Sequence, residues 1–177
     1  MRELSLHVLD LIENATRAGA SVVCVRVIAD PKTDRLEIAV EDNGPGLPIA
    51  AEQALDPFYT TKEGKQTGLG LSLFEAAAER AGGSLAVEHS ALGGVAVKAA
   101  MHFGHVDRAP LGDLAGTIFT AVLGNPDVDF WCCITLSGQK TVLRCSEVAR
   151  ELAHGGGSLA VARHLAERVR QALAGAQ

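Results

Sequence analysis

A carboxylate and two glycines follow a predicted strand in the segment Asp42-Asn43-Gly44-Pro45-Gly46. A buried aspartate at a strand end can accept a hydrogen bond from an exocyclic amine, and glycines let a flat ring lie against the backbone. The same residues also suit an ordinary tight turn, because Asn-Gly is typical of β-hairpins. Alone, this segment predicts either a ring-binding loop or a turn.

A second glycine-containing segment, Thr67-Gly68-Leu69-Gly70-Leu71, begins a predicted alanine-rich helix. Unpaired amides at a helix start favour phosphate oxygens, and glycine leaves room for their approach. The segment lacks the third glycine of a dinucleotide fingerprint and the Gly-Lys-Ser/Thr ending of a P-loop. Lys62 and Lys65, just before it, could neutralise phosphate charge or simply be solvated.

The first predicted helix, residues 4–18, carries a polar stripe formed by His7, Asp10, Asn14 and Arg17. Asparagine is a poor helix former, so Asn14 in mid-helix indicates another role or an ordinary surface position. Its side-chain carbonyl could ligate Mg²⁺, which prefers hard oxygen ligands.

Taken together and in this order, the segments resemble the GHKL ATPases, the family of gyrase, Hsp90, histidine kinases and MutL. Residues 11–20 resemble its N box, 41–47 its G1 box, 56–62 its F box and 67–71 its G2 box. The resemblance covers roughly residues 1–104. The F box is most similar to that of histidine kinases, and the N box ends more like that of MutL.

The resemblance implies ATP and Mg²⁺ as ligands. It implies that Asn14 binds Mg²⁺, that Asp42 holds the adenine amino group, and that Gly44 and Gly46 flank the base. On the phosphate side it implies Lys62, Thr67, Gly68, Leu69 and Gly70.

Asp10 stands four residues before Asn14, one helical turn away on the same stripe. In gyrase, MutL and the anti-sigma kinases, a glutamate four residues before the corresponding asparagine acts as general base. Asp10 resembles that glutamate in its position. Asp10 is one methylene shorter, so three interpretations stay open: general base, support of Mg²⁺ or water, and solvated helix residue. His7 is expected to be a solvated or capping histidine.

The hydrophobic patterns predict an α+β two-layer sandwich, with a mixed, mainly antiparallel sheet and helices on one face. The resemblance implies the Bergerat ATP-binding fold, which has this architecture. The predicted elements are a helix at 4–18, strands at 21–29 and 36–41, a helix from the G2 segment to about 81, and strands at 84–89 and 95–103 joined by a Gly93-Gly94 turn. After these come a helix at 111–123, a hairpin of 128–136 and 140–145, and helices at 146–153 and 159–173.

The character of the chain changes near His105, which predicts an ATP-binding domain at 1–104 and a small α+β appendage at 105–177. Phe130 and Trp131 are expected in the core of the appendage. A stripe of Leu165, Val169 and Leu173 predicts either internal packing or a homodimer seam.

Composition limits the classes of function. The net charge of −5 argues against nucleic-acid binding, and the sequence has neither a membrane-spanning run nor a signal peptide, which predicts a cytoplasmic protein. The four cysteines lack a CxxC pair and are expected to be buried and reduced, with a metal or redox site as the alternative.

These observations predict Mg²⁺-dependent ATP binding, with ATP hydrolysis or phosphoryl transfer to a partner protein. Only 13 residues precede Asn14, and none of the six histidines is followed by Asp or Glu. An acceptor-histidine hairpin is therefore not expected in this chain, which resembles small bacterial histidine-kinase-like ATP-binding proteins. The alternative is a non-catalytic switch that senses ATP or ADP and binds a partner protein.

Overall fold

The computed structural model describes residues 3–46, 69–152 and 157–174. Its helices are α1 (Leu4–Arg17), α2 (Leu69–Arg80), α3 (Leu114–Gly124), α4 (Cys145–Glu151) and α5 (Ser158–Ala172). Its strands are β1 (Val22–Asp30), β2 (Arg35–Asp42), β3 (Ser84–His89), β4 (Val95–His102), β5 (Asp129–Leu136) and β6 (Gln139–Arg144). Within these ranges, the predicted elements are confirmed with small shifts at their ends.

The strands form one six-stranded sheet in the order β3-β4-β2-β1-β5-β6. Neighbouring strands are antiparallel except β1 and β5, which run parallel. The prediction of a mixed, mainly antiparallel sheet is therefore confirmed. The parallel pair is possible because a long connection separates its strands, as parallel pairing requires.

Alternation along the strands places the core on one face of the sheet. In β1, Val23, Val25 and Val27 belong to the buried cluster, whereas Cys24 and Arg26 lie on the opposite face. Most of the buried apolar residues of the helices belong to the same cluster, so the described helices cover this face. This arrangement confirms the two-layer α+β sandwich.

The sheet continues across the predicted boundary at residue 104. Strand β5 pairs with β1 along its length, and α3 packs against both α1 and α5. The amides of Leu4 and Ser5 donate to the carbonyls of Pro110 and Leu111, each at 2.9 Å, which satisfies N–H groups of the first turn of α1. The division into residues 1–104 and 105–177 stays a prediction about domains, and both parts share one sheet.

In the second part of the chain, the structure agrees with one of two open alternatives and overturns one expectation. Leu165, Val169 and Leu173 are buried against this chain's own core, so the stripe offers no seam to a second copy. Phe130 is fully buried as expected, but Trp131 lies on the other face, where the guanidinium of Arg144 stands 4.6 Å from its ring centroid. Adjacent strand residues point to opposite faces, so the two aromatics cannot share one core.

The cysteines are all free thiols. Cys24 and Cys132 are buried as predicted, whereas Cys133 and Cys145 are only half-buried, so that prediction is wrong for these two. No helix in the described part of the chain is both long and apolar enough to span a bilayer.

Candidate functional site

Asp42 ends β2 with a buried carboxylate, only 8% exposed. Its Oδ1 accepts hydrogen bonds from the amides of Gly44, at 2.8 Å, and Val95, at 3.3 Å. These two donors come from the turn after β2 and from the first residue of β4. The carboxylate is thus held in one orientation where the two segments meet.

Gly94 is part of this arrangement, and sequence reasoning missed it. Its amide donates to the Asp42 carbonyl at 3.0 Å. A Cβ on Gly94 would overlap the Asp42 Oδ1 and lie 2.6 Å from the Gly44 amide nitrogen. The Gly93-Gly94 pair was predicted only as a hairpin turn, and nothing in its local sequence indicates the contact with Asp42 across the sheet.

Asn43 lies between Asp42 and Gly44, and its side chain forms hydrogen bonds with Ser21 and Val22. Its Oδ1 accepts from the amides of Ser21 and Val22, at 2.9 and 2.8 Å, and its Nδ2 donates to the Ser21 hydroxyl at 2.9 Å. The side chain therefore ties the turn after β2 to the start of β1.

Gly44 and Gly46 are favoured as glycines for different reasons: Gly44 has close neighbours, and Gly46 has a positive φ. A Cβ on Gly44 would stand 3.1 Å from the Asp42 Oδ1 and 3.7 Å from the Ala20 side chain, which is a close approach of backbone to neighbours. Gly46 has φ +82°, a conformation that favours glycine, and no atom of the described residues lies within 4 Å of its Cβ position. Ala20, which lies between α1 and β1, thus approaches the turn that follows Asp42.

Asp10 lies at the start of α2. Its Oδ2 is 3.3 Å from the position that a Cβ would occupy on Gly70, the second residue of that helix. The first amides of a helix lack partners inside the helix and carry partial positive charge. The structure therefore brings together Asp10 and Gly70, two residues predicted from separate motifs. Leu69 begins α2, and Lys62, Thr67 and Gly68 lie outside the described residues.

His7 is not the solvated or capping residue that was expected. It is 5% exposed and stacks on Phe74 of α2, with ring centroids 5.0 Å apart and planes 9° from parallel. The first part of this stripe packs against α2, whereas Arg17 at its other end is exposed to solvent, which explains the difference. The stack lies one helical turn from Asp10 on α1 and from Gly70 on α2, so it holds these two residues beside each other.

Asn14 is half-buried in the last part of α1. Its Oδ1 accepts from Nη1 of Arg17 at 3.3 Å, and Arg17 also lies 3.7 Å from Glu13. In the described residues, no group of three or more His, Cys, Asp or Glu side chains could hold a metal. Mg²⁺ commonly takes one or two protein oxygens and completes its shell with phosphates and water, so Asn14 and Asp10 fit it as donors.

Comparison with known proteins identifies an ATPase family. The family model described as "Histidine kinase-, DNA gyrase B-, and HSP90-like ATPase" matches residues 2–123. The chain is 36% identical over 92 residues to the sensor histidine kinase CpxA of Escherichia coli K12, covering 49% of this chain and 20% of CpxA. It is 44% identical over 104 residues to the two-component sensor PprA of Pseudomonas aeruginosa, covering 54% of this chain and 11% of PprA.

A solved structure of the N-terminal domain of a DNA repair protein resembles the fold over a longer stretch. Its TM-score is 0.50 at 13% identity, and the match covers 80% of this chain and 52% of that one. Such a likeness concerns the fold alone. Because it covers 80% of the chain, it extends past residue 104 and includes part of the region predicted as an appendage.

Proposed function

The chain belongs to the histidine kinase-, DNA gyrase B-, and HSP90-like ATPase family, and on that premise we propose that it binds ATP with Mg²⁺ and uses it. In this proposal ATP is hydrolysed, or its γ-phosphoryl group passes to a partner protein. The site lies between α1, the end of β2 with the start of β4, and the first turn of α2.

The adenine end of the proposed site is built on Asp42. Two backbone amides engage Oδ1, so the carboxylate cannot rotate freely, and Oδ2 is the acceptor that we assign to the adenine amino group. Burial makes this hydrogen bond selective, because a base that lacks the amino group leaves Oδ2 of a buried carboxylate without a donor. Gly44 and Gly46 allow the ring to lie against the turn.

The phosphate end of the proposed site is the first turn of α2. Its amides suit phosphate oxygens, and Leu69 and Gly70 supply the first of them in the described residues. Lys62, Thr67 and Gly68 stay assigned to the same end by the resemblance alone. Bound Mg²⁺ would neutralise charge on the phosphates, and Asn14 would hold it through Oδ1 after exchanging its contact with Arg17.

Asp10 is the proposed general base. A carboxylate oxygen would take the proton from the attacking water, or from the acceptor group of a partner, as the new bond to phosphorus forms. A general base must be within hydrogen-bond reach of the proton that it takes, either directly or through one water. Because the side chain of Asp10 is one methylene shorter than glutamate, we propose that one ordered water carries the proton from the nucleophile to the carboxylate.

A partner protein with an acceptor histidine is the phosphoryl acceptor that we propose. The names printed for the relatives, a sensor histidine kinase and a two-component sensor, carry this suggestion. The matched region is 20% of one relative and 11% of the other, so the activity of the whole relatives reaches this chain only as a proposal.

The observation that carries the proposal is the position of the Asp10 carboxylate beside Gly70 at the helix start. It joins the proposed base to the proposed phosphate site. The test is ADP formation from ATP and Mg²⁺ by the full chain and by the Asp10→Asn variant, with ATP affinity measured on the same samples. We expect Asp10→Asn to lower turnover by about 100-fold or more while ATP affinity stays within about threefold.

Glu13→Gln is the matched control, since Glu13 is an exposed carboxylate on the same helix whose contact is with Arg17. It should leave turnover unchanged. Equal turnover in wild type and Asp10→Asn would reject Asp10 as the base. ATP binding without ADP formation in the wild type, even with candidate acceptor proteins added, would favour the ATP-sensing switch.

A further inference from the structure

The sheet face opposite the helices carries a pair of thiols. Cys24 on β1 and Cys133 on β5 both point to this face, and their sulfur atoms are 3.9 Å apart. In the register of the parallel pair, Cys133 stands opposite Arg26, two residues beyond Cys24. The pair is therefore diagonal across neighbouring strands, and it lies outside the site described above.

The two thiols differ in their surroundings. Cys24 is 5% exposed, whereas Cys133 is half-buried and can be reached from solvent. The Cys24 S–H donates to the Cys133 sulfur, which stabilises a thiolate on Cys133 and lowers its pKa, while the pKa of Cys24 is raised. A shared proton between two sulfurs thus favours one nucleophile and one neighbouring thiol.

Three cations surround the nucleophilic member. Arg26 on β1 and Lys140 and Arg144 on β6 each lower the pKa of Cys133 by their charge. Glu41 opposes them, because its Oε1 lies 2.7 Å from Arg26 Nη2. Arg144 is paired as well, since its Nη1 lies 3.3 Å from Glu147 Oε1. The charges of the three cations still lower the pKa of Cys133, and cations beside a thiol are typical of reactive cysteines in proteins.

The other two cysteines have no such environment. Cys132 is buried in the core, and burial raises the pKa of its thiol. Burial also raises the pKa of Cys145, and the charge of Asp129 adds to this effect. Both therefore serve as internal references for reactivity within the same chain.

We propose that Cys133 is an oxidation site for hydroperoxides and that Cys24 is its resolving thiol. The Cys133 thiolate attacks the terminal oxygen of a hydroperoxide; the S–O bond forms, the O–O bond breaks, and the leaving oxygen departs as water or an alcohol after protonation. The Cys24 sulfur then attacks the resulting sulfenic acid, the S–S bond forms, and the hydroxyl leaves as water with the proton of Cys24. The hydroperoxide accepts the two electrons that the two thiols lose.

The second step needs a local shift of the two strands, because residues diagonal across neighbouring strands have Cα atoms about 7–8 Å apart and a disulfide spans less. Closure brings the sulfur atoms from 3.9 Å to the S–S length of about 2.05 Å. The disulfide would link β1 to β5 on the sheet face opposite the helices. Val23, the residue before Cys24, is the register partner of Asp42, so the link lies close in the sheet to the strand that carries the proposed adenine contact.

The first test needs no variant. The full-length reduced chain is exposed to limiting iodoacetamide at neutral pH, and alkylation is quantified at each cysteine by peptide mass spectrometry. Cys133 is expected to react about tenfold faster than Cys145 or more, with Cys132 slowest. Equal rates at Cys133 and Cys145 would overturn the proposal.

The second test uses hydrogen peroxide and intact mass. The wild type is expected to lose two hydrogens through a bond mapped to Cys24 and Cys133, and Cys24→Ser is expected to keep a sulfenic acid on Cys133 that dimedone traps. Cys133→Ser should show neither product, and Cys145→Ser, the control, should behave as wild type. A persistent sulfenic acid in the wild type, or a disulfide that uses another cysteine, would overturn the proposal.

Discussion

The Asp10 Oδ2 lies 3.3 Å from the place where a side chain on Gly70 would begin. This relationship joins the middle of α1 to the first turn of α2, two elements that are 52 residues apart or more in the chain. The stacked pair of His7 and Phe74 holds the same two helices together one turn away. The proposed base thus has a fixed place beside the proposed phosphate site.

Gly70→Ala is predicted to lower turnover without weakening the fold. The new Cβ would crowd the Asp10 carboxylate, which must then move by a few tenths of an ångström. Small displacements of a catalytic group are costly, and we expect a fall in ADP formation of about tenfold. Alanine is the better helix former, so the free energy of unfolding should stay level or rise by up to about 1 kcal/mol.

Gly124→Ala is the control for that measurement. Gly124 ends α3, and no atom lies within 4 Å of its Cβ position, so turnover should match wild type. Full activity in Gly70→Ala would mean that the contact with Asp10 has no catalytic consequence.

Gly94→Ala is predicted to damage both stability and nucleotide binding. Its Cβ would overlap the Asp42 Oδ1 and approach the backbone of Gly44 at 2.6 Å, and backbone atoms cannot simply rotate away. Overpacking of this kind costs about 1–3 kcal/mol, measurable by urea unfolding. Displacement of Asp42 should also weaken ATP binding.

The matched change in the same turn is Ala91→Ser, at an exposed position, which should alter neither property. If Gly94→Ala has the stability of the wild type, the β3–β4 turn can shift to accommodate the new Cβ, and the predicted overlap with Asp42 and Gly44 would be wrong.

Asn43→Ala is predicted to destabilise the fold by removing the acceptor for two backbone amides and the donor to Ser21. The expected loss is about 1 kcal/mol in urea unfolding, because the partly buried amide of Val22 loses its partner while that of Ser21 can bind water. Asn43→Asp keeps the acceptor oxygen and loses only the donor, so it should cost less. The reverse order of the two variants would contradict this account of the side chain.

Asp34 is predicted to contribute to acid sensitivity. The amide of Gly104 and the ring of His102 hold the pKa of this carboxyl below its ordinary value of 3.8. Because the folded value is the lower one, the contribution to stability is present above the unfolded pKa and is lost as pH falls through the folded pKa. Stability should therefore decline below about pH 4, and Asp34→Asn should decline less steeply there.

Urea midpoints measured between neutral pH and about pH 2 test this expectation. Asparagine also accepts the left-handed backbone that Asp34 has, with φ +51°, so the variant changes charge with little strain. Parallel declines in wild type and variant would remove Asp34 from the explanation.

Local sequence patterns were sufficient to predict the helices and strands of this fold. The apolar spacing that predicted a helix at 4–18 corresponds to α1, Leu4–Arg17, and the alternating strands lie within a residue or two of their predicted ends. These features depend on neighbours in the chain, which is why one sequence reveals them. The motifs likewise located Asp42 and Asp10, whose surroundings the structure then supplied.

Contacts between distant segments were beyond the same reasoning. The parallel pairing of β5 with β1 needs a long connection whose path no local pattern records. His7 was placed on a polar stripe correctly, but its burial depends on Phe74, 67 residues later. Gly94 was interpreted as a turn residue, and its role against Asp42 exists only once β4 lies beside β2.

The most direct test of the central claim is calorimetric titration of ATP into wild type, Asp42→Asn and Asp30→Asn, with Mg²⁺ and with a chelator. Asparagine can still accept from the amides of Gly44 and Val95 through its oxygen. Its Nδ2 then takes the place of Oδ2, and because it is a donor it cannot accept the hydrogen bond of the adenine amino group. We predict Mg²⁺-assisted binding in the wild type and in Asp30→Asn, whose aspartate ends β1 and accepts from the amide of Lys32. The dissociation constant should be about 10- to 100-fold higher in Asp42→Asn. Equal affinity in all three proteins, or no binding to the wild type, would contradict the assignment of this site to ATP.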